Sequence, residues 1–458
     1  MKNIFLTFFL NCFLFNGFAQ SQYDLIIKNA TIFNSITGKT ETNKDILIRD
    51  GKIIDVVPRG QLHKSKNIIE AKEKLVTPGF IDVHIHPTDI LGDFDKAPLN
   101  VETDSIPLFR KRISQTFLPY GVTTIRSAGQ PEQWLPMMVS WQKNSRPEHV
   151  DIYNSGGALV TLDPKRKTNI AHAAVKDSAD AARKVQEYYD QGIRHLKLYW
   201  RLQYSELASA LHKAEQLKMN VFAHVGDNSI TSVDSVITLG VKNIEHAYTL
   251  ITCDLSDTDN QIIGQKFEKR YKDSPFQPAF IEWVMEQLLF VGREKPGFYN
   301  LISKLKNNNV SVTPTLHIFA QRYGLTWFYK EMTEMADLPF KGNEFQTQEC
   351  IKGYEVLASY VKILYDSGVQ LNLGTDCPEG GKAALSEMIL LNELGIPMQE
   401  VLKIATINSA KAMDRENLYG SIEKGKKANL IIFGKSPLED RKNLTGKKTI
   451  IKEGVVFK

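Results

Sequence analysis

Short apolar runs alternate with longer amphipathic stretches through the middle of the chain. Eight of the runs have the length and β-branched content of buried strands, and polar or amphipathic segments separate them. In chain order they read FIDVHIH, VTTIRS, DIYNSG, IRHLKLYW, NVFAHV, KNIEHA, VSVTPTL and VQLNLGTD. Eight strand–helix units with mostly apolar strands predict an α/β fold, a parallel (β/α)8 TIM barrel.

The stretches between the strands show helical periodicity. Leu207 and Leu211 follow Ser205 at helical spacing, which predicts a helix with that serine as its N-cap. A second periodic stretch ends before Gly395, and glycine is a common residue just beyond a helix. Residues 251–299, between the sixth and seventh strands, are polar and charged and interrupt this alternation. We expect this insertion to form a lid or a wall of the substrate site.

The two ends of the chain share a different pattern. Residues 23–74 contain several strand-like runs separated by turn signals, and ANLIIFG and KTIIKEGVVF resume the same pattern near the C-terminus. This arrangement predicts a small composite β-sandwich domain formed by residues 20–76 and 415–458. The barrel is then expected to span residues 77–414.

The first residues have the composition of a secretory leader. Lys2 precedes an apolar stretch that ends at Phe18, and small residues occupy the −3 and −1 positions of a cleavage site at Ala19. Residues 1–19 are therefore predicted to be a signal peptide, and the protein is expected to be exported and periplasmic or secreted. The apolar stretch is short for a membrane span, and no other segment approaches the required length.

Composition narrows the range of functions. The chain has 458 residues, of which 42% are hydrophobic and 24% charged, as in ordinary soluble globular proteins. Its net charge of +5 is thinly spread without an arginine stripe, so nucleic acid is not expected as a partner. Beyond the predicted leader the cysteines are too few for a disulfide scaffold; they are Cys253, Cys350 and Cys377. A disulfide bond between the first two is left open. Homo-oligomerisation is also left open.

Five of the predicted strands end in side chains that can bind metal ions. Because active sites of such barrels lie at the C-terminal ends of the strands, we expect these side chains to converge. Imidazole and carboxylate ligands favour zinc, with Mn2+, Fe2+ or Ni2+ as alternatives. The other histidines, including His172 and His317, are interpreted as structural or surface residues. The candidate ligands in chain order are His84, His86, Lys197, His224, His246 and Asp376.

Lys197 is an unusual candidate because an ammonium group beside two dications is strongly disfavoured. It lies in the apolar run IRHLKLYW, where burial is expected to lower its pKa. A neutral lysine amine can capture carbon dioxide as a carbamate, which is anionic and can bridge two metal ions. We therefore predict two divalent ions that share a water molecule and an N6-carboxylated Lys197.

Several segments resemble the amidohydrolase superfamily. They are TPGFIDVHIH, YGVTTIR, VTPTL, LGTD and GSIEKGKKANLIIF, together with the ordered Lys–His–His series. They are similar to the branch that contains imidazolonepropionase-related enzymes and Xaa-Pro dipeptidases. The resemblance implies a binuclear centre whose ions are bridged by carboxylated Lys197. The implied ligands are His84, His86 and Asp376 for one ion and His224 and His246 for the other.

The resemblance also implies a mechanism. A hydroxide shared by the two ions attacks an amide carbonyl, and Asp376 transfers the proton of the nucleophile to the leaving nitrogen. Arg126, Tyr199 and Tyr248 follow strand ends and are candidates for orienting the substrate or stabilising the oxyanion. Their alternative interpretation is aromatic packing or a structural salt bridge.

Three functions are compatible with these residues. The favoured one is an exported metal-dependent amidohydrolase that cleaves a C–N amide bond in a small-molecule amide, peptide or dipeptide. Ser127 stands where dipeptidase relatives often have aspartate, so Xaa-Pro specificity is left open. A mononuclear deaminase or cyclic-amide ring-opening hydrolase is the first alternative, although such an enzyme does not need a bridging lysine. A non-catalytic exported binding protein is the second.

Overall fold

The computed structural model describes residues 23–91, 97–165, 168–226, 232–332 and 340–457. The predicted signal peptide, residues 1–19, lies outside the described residues. The strands within the described residues are β1 (Tyr23–Asn34), β2 (Lys39–Arg49), β3 (Lys52–Pro58), β4 (Ser65–Glu70), β5 (Leu75–Pro78), β6 (Phe80–Ile85), β7 (Val122–Ser127), β8 (Asp151–Tyr153), β9 (Ala158–Thr161), β10 (His172–Val175), β11 (His195–Leu198), β12 (Asn220–His224), β13 (Asn243–Glu245), β14 (Ser311–Thr313), β15 (Leu430–Phe433), β16 (Lys448–Lys452) and β17 (Val455–Val456).

Helices follow most of the central strands. Over the same described ranges they are α1 (Pro87–Ile90), α2 (Ile106–Phe117), α3 (Leu135–Lys143), α4 (Ser178–Asp190), α5 (Tyr204–Gln216), α6 (Val233–Thr238), α7 (Ala247–Thr252), α8 (Asp257–Tyr271), α9 (Phe280–Val291), α10 (Phe298–Asn307), α11 (Leu316–Ala320), α12 (Trp327–Met332), α13 (Glu344–Asp366), α14 (Gly381–Glu393), α15 (Met398–Lys403) and α16 (Ser409–Ala412). In the described part of the chain, no helix combines the length and apolar character that crossing a membrane requires.

The central strands form two parallel sheets. One has the order β10-β9-β11-β12-β13-β14 and the other the order β6-β7-β8. Seven of the eight predicted barrel strands correspond to strands of these sheets. The eighth is an extended segment that contacts both sheets: Leu371 pairs with Val312, and the Val83 N–H donates to the Leu373 carbonyl over 2.9 Å. The parallel α/β architecture agrees with the prediction, and closure of the strands into a complete ring stays a prediction.

Both ends of the chain contribute to one further sheet. Its order is β17-β16-β15-β5-β1-β2-β3, and β4 also pairs with β1. Strand β15 lies between β5 and β16 and is antiparallel to both. Buried side chains such as Ile27, Ile46 and Leu430 form an apolar cluster of this sheet. The second layer of a β-sandwich and the predicted domain limits stay predictions.

The two helix boundaries that the sequence predicted differ in accuracy. Helix α14 ends at Glu393, and Gly395 has a φ of 84°, a left-handed conformation that favours glycine. The N-cap prediction for Ser205 is wrong, because α5 begins at Tyr204 and its N-cap is Gln203, two residues before the predicted one. The backbone N–H of Gln203 donates to the Thr161 hydroxyl over 2.8 Å, so a contact with another loop fixes where the helix begins.

The insertion between β13 and β14 is helical. It contains α8 and α9, and Gly353 of α13 packs closely against Met285 of α9. The described cysteines, Cys253, Cys350 and Cys377, all carry free and buried thiols. A bond between the first two, which the sequence left open, is not formed.

A buried ion cluster joins the central strand β8 to the sheet of the chain ends. The Lys452 side chain is fully buried, and its Nζ lies 3.1 Å from Asp151 Oδ1. Lys427 Nζ lies 3.2 Å from the other carboxylate oxygen. Burial opposes ionisation of Asp151, yet the two lysines outweigh it and lower its pKa to about 2.

We expect Lys452→Met to lower the free energy of unfolding by about 3–5 kcal/mol, because Asp151 would lose a partner inside the protein. The stability that the ionised Asp151 carboxylate contributes is fully present above the ordinary pKa of an aspartate, about 4, and is lost as the pH falls toward 2. Urea unfolding at neutral and acidic pH measures both effects. Lys66→Met, which breaks an exposed pair with Asp24, is the control, and an equal loss in the two variants would contradict the expectation.

Candidate metal centre

The Asp376 carboxylate lies among three imidazoles that come from the ends of two strands, β6 and β13. Its Oδ1 is 3.6 Å from Nε2 of His84 and 3.4 Å from Nε2 of His86. Its Oδ2 is 3.8 Å from Nε2 of His246. Ligand atoms of His84, His246 and Asp376 all lie within 4.8 Å of one another, a separation that one metal ion can span.

The remaining two predicted ligands face the same cavity. The His224 ring centroid lies 4.5 Å from that of His246. Lys197 is 1% exposed, and its Nζ has no hydrogen-bond partner among the described residues. The structure thus brings all the predicted ligands together on one cavity wall: His84, His86, Lys197, His224, His246 and Asp376.

Hydrogen bonds orient the imidazoles toward the centre. His84 Nδ1 lies 2.5 Å from Glu245 Oε2, and His86 Nδ1 lies 3.2 Å from the Gly129 carbonyl. His246 Nδ1 lies 2.9 Å from the Thr315 hydroxyl. In each case Nδ1 is engaged and Nε2 faces the centre. Outer partners of this kind fix the ring orientation and the tautomer of metal-binding histidines.

Glu245 is a functional residue that the sequence reasoning missed. Its carboxylate is fully buried between His84 and Arg126, whose Nη2 donates to Glu245 Oε1 over 2.9 Å. An acidic residue inside the apolar run KNIEHA was the available signal, because a buried carboxylate requires a partner. Glu245 therefore connects a ligand histidine to a buried arginine.

Arg126 lies beneath the centre rather than on the cavity wall. Its guanidinium is fully buried and also donates to the carbonyls of Val83 and Ala412 over 2.8 and 3.2 Å. The Phe222 ring covers the guanidinium at 3.7 Å. These contacts match the structural salt bridge that the sequence left as the alternative to substrate binding.

We expect Glu245→Gln to weaken metal binding about 10- to 100-fold, because glutamine cannot replace the charged partner of His84. Competition with a chelating dye measures the affinity without relying on activity. Glu286→Gln is the matched control, since Glu286 is buried and pairs with Arg270 over 2.8 Å in the helical insertion. Equal metal affinity in Glu245→Gln and the unaltered protein would contradict the proposed positioning.

Backbone conformation at three strand ends is unusual. His246, Thr315 and Asp376 have φ angles of 63°, 54° and 51°, in the left-handed region that non-glycine residues rarely adopt. Each such residue costs roughly 1–3 kcal/mol, and such strain is concentrated at functional sites. The positive φ at His246 also ends the regular alternation of side-chain direction along β13.

Burial controls protonation throughout the centre. It lowers the pKa of His86 to about 4, with the positive charge of Lys197 adding to the effect, so the imidazole is neutral and able to bind metal. Burial also lowers the pKa of Lys197 to about 8 and raises that of Asp376 to about 6. A neutral amine is therefore accessible at Lys197 near neutral pH, as carbamate formation requires.

The centre opens into a cavity of about 340 Å3 with mostly aromatic and aliphatic walls. Tyr199 and Tyr248, both predicted from the sequence as substrate-binding, line it. The Tyr248 hydroxyl is 3.1 Å from His224 Nε2. His172, which the sequence interpretation placed among the structural or surface residues, also lines the cavity, with its ring 4.4 Å from that of Tyr199. Phe280 of α9 contributes to the wall from the insertion.

Solved structures share this fold. A crystal structure of a Xaa-Pro dipeptidase with bound methionine in its active site superposes with a TM-score of 0.68 at 18% identity, over 95% of this chain and 99% of that one. The A. niger ochratoxinase gives a TM-score of 0.67 at 16% identity, over 95% of both chains. The class defined by fold and site is thus an α/β protein that shares the fold of these structures and carries a cluster of candidate metal ligands.

Sequence comparison identifies the family. The model of the amidohydrolase family matches residues 75–456, so the chain belongs to this family of generally metal-dependent enzymes that hydrolyse C–N bonds. Imidazolonepropionase from Geobacillus kaustophilus is 39% identical over 80 residues, which are 17% of this chain and 19% of that enzyme. Adenine deaminase from Clostridium perfringens is 30% identical over 106 residues, 23% of this chain and 15% of that enzyme. The matched part of the chain therefore spans a fifth or less of the length of these curated relatives.

The residues present fit the metal ions that the family implies. One cavity is surrounded by four imidazoles with lowered pKa values, a carboxylate and a buried lysine amine that finds no hydrogen-bond partner among the residues that the structure describes. An unpaired amine at such a position is costly unless another group engages it. This donor set suits zinc and similar divalent ions.

Proposed function

We propose that this protein is an exported, binuclear metal-dependent amidohydrolase that cleaves a C–N amide bond in a small peptide, dipeptide or related amide. The observation that carries the proposal is the convergence of the predicted ligands around Lys197, whose buried Nζ has no hydrogen-bond partner in the described part of the chain. Export is supported by the leader-like composition of residues 1–19.

The ligands would divide between two ions. Lys197, as its N6-carboxylated form, would bridge the ions, which we propose to be zinc, with Mn2+, Fe2+ or Ni2+ as alternatives. The chemistry that such ions supply when bound is a water of lowered pKa and a polarised carbonyl. His84, His86 and Asp376 would hold one ion, and His224 and His246 would hold the other.

Asp376 would carry the proton during the reaction. Its carboxylate faces the cavity, and burial raises its pKa toward neutrality, so it can both accept a proton and release it to the leaving nitrogen. The Tyr248 hydroxyl lies beside His224 and would donate to the oxygen of the scissile carbonyl. Tyr199, whose ring centroid lies 5.0 Å from that of His224, would orient the substrate.

The helical insertion would cover the substrate. Phe280 and Ile281 at the beginning of α9 line the cavity together with Ile318 and Phe319 of α11. These side chains would exclude water and bind an apolar group on one side of the amide. The proposed substrate is accordingly a small amide that carries an apolar or aromatic substituent.

Metal removal tests the proposal. We expect chelation to abolish hydrolysis of dipeptides and N-acyl amino acids, and Zn2+ or Mn2+ with bicarbonate to restore it. Elemental analysis of the active enzyme should give at least two ions per chain. Full activity in a chelated, metal-free preparation would contradict a metal-dependent mechanism.

Deamination by a mononuclear centre is the second candidate. The stretch similar to adenine deaminase is the observation that favours it. One ion per chain and turnover of aminated heterocycles, with no hydrolysis of amides, would select this candidate. Absence of both metal and turnover would instead favour a binding protein.

A further inference from the structure

A second group of metal-binding side chains lies beside the centre. His317 is on α11, which follows β14; Cys377 directly follows Asp376, and Glu379 lies two residues further on. One ligand atom from each of the three side chains lies within 4.8 Å of the other two. None of these residues belongs to the ligand set of the centre described above.

His317 has no hydrogen-bond partner for either ring nitrogen within the described ranges. Its side chain is 5% exposed, and its Nε2 lies 3.9 Å from Glu379 Oε2, beyond hydrogen-bond distance. The backbone N–H of His317 donates to Glu387 over 2.6 Å, which fixes the beginning of α11. A buried imidazole with both nitrogens unengaged is costly, and a ligand between His317 and Glu379 would engage one of the two nitrogens.

The Cys377 thiol faces the same space. It is 2% exposed, it donates to Glu379 Oε2, and it accepts a hydrogen bond from Gln321 Nε2 over 3.0 Å. A metal ion could replace the thiol proton, because thiolate, imidazole and carboxylate together form a ligand set typical of zinc. Binding would release the thiol proton to solvent.

We propose that His317, Cys377 and Glu379 form a separate site for one Zn2+ ion, with a water molecule in the fourth position. An ion held there would join the segment after Asp376 to α11. Because Ile318 and Phe319 of α11 line the substrate cavity, the ion would also fix that wall of the cavity.

Cobalt substitution of the full-length protein tests the site. Cobalt bound by a thiolate absorbs in the near ultraviolet by charge transfer, whereas histidine, carboxylate and carbamate ligands do not give this band. We expect the band in the cobalt-loaded protein and its loss in Cys377→Ser, with one fewer ion per chain. Cys253→Ser, which removes another buried thiol, should keep both the band and the stoichiometry.

His317→Ala provides a second variant that retains the thiol. We expect this variant to bind one ion fewer per chain and to bind cobalt at the thiolate site at least tenfold more weakly. Thermal unfolding of each variant shows that it is folded. A cobalt-saturated protein without the thiolate band would overturn the proposal. A band that persists in both Cys377→Ser and His317→Ala would overturn it as well.

Discussion

Lys197→Ala is expected to reduce amide hydrolysis by about a thousandfold or more, which corresponds to about 4 kcal/mol of transition-state stabilisation. Alanine removes the amine that would become the anionic bridge between the two proposed ions. Metal content should fall together with activity. Steady-state kinetics and elemental analysis of the same preparations measure both quantities.

Two comparisons make this result specific. Lys448→Ala is the matched control, because burial also lowers the pKa of Lys448 to about 8, yet this lysine lies on β16 of the other sheet. A short carboxylic acid such as propionate should partly restore activity to Lys197→Ala, because it can occupy the vacated position with an equivalent anion. Unchanged turnover in Lys197→Ala would contradict the binuclear proposal and favour the mononuclear one.

Asp376→Asn is expected to lower kcat about 10²- to 10⁴-fold, because the amide has the shape of the carboxylate and cannot accept a proton. A carboxylate works as a base only when ionised, so the activity of the unaltered enzyme should fall as the pH falls below the pKa of Asp376. Burial raises this pKa and bound cations lower it. The variant should lack this acidic limb of the pH–rate profile.

Asp414→Asn is the control for this substitution. Asp414 also has a left-handed backbone, with φ at 51°, but it accepts a hydrogen bond from Asn220 and does not line the cavity. The control should keep the activity and the pH profile. Metal analysis separates loss of a proton acceptor from loss of a ligand, and an Asp376→Asn enzyme with normal kcat would exclude the proposed proton transfer.

The convergence of the candidate ligands could be predicted because it depends on local rules. His84 and His86 are two residues apart in a strand, so both face one side, and parallel strands bring their C-terminal ends to one edge. Lys197 could be recognised because a lysine inside an apolar strand must either find a partner or lose its charge. These arguments need the strand order but no knowledge of side-chain packing.

Glu245, His172 and Arg126 could not be placed from the sequence. Whether Arg126 faces substrate or the interior depends on Glu245 from a strand that lies far away in sequence. Glu245 and the adjacent His246 contribute to the same centre because the backbone at His246 is left-handed, which no composition rule predicts for histidine. His172 reaches the cavity through β10, a strand that the sequence pattern did not reveal.

The position of β15 between β5 and β16 has a consequence for how the chain acquires its structure. Strand β5 ends at Pro78 and β15 begins only at Leu430, so the edge of β5 lacks its neighbour until the ribosome has translated the segment between them and β15 itself. The small sheet is therefore completed only after translation of the two parallel sheets, and its first strands must avoid wrong pairing during that interval.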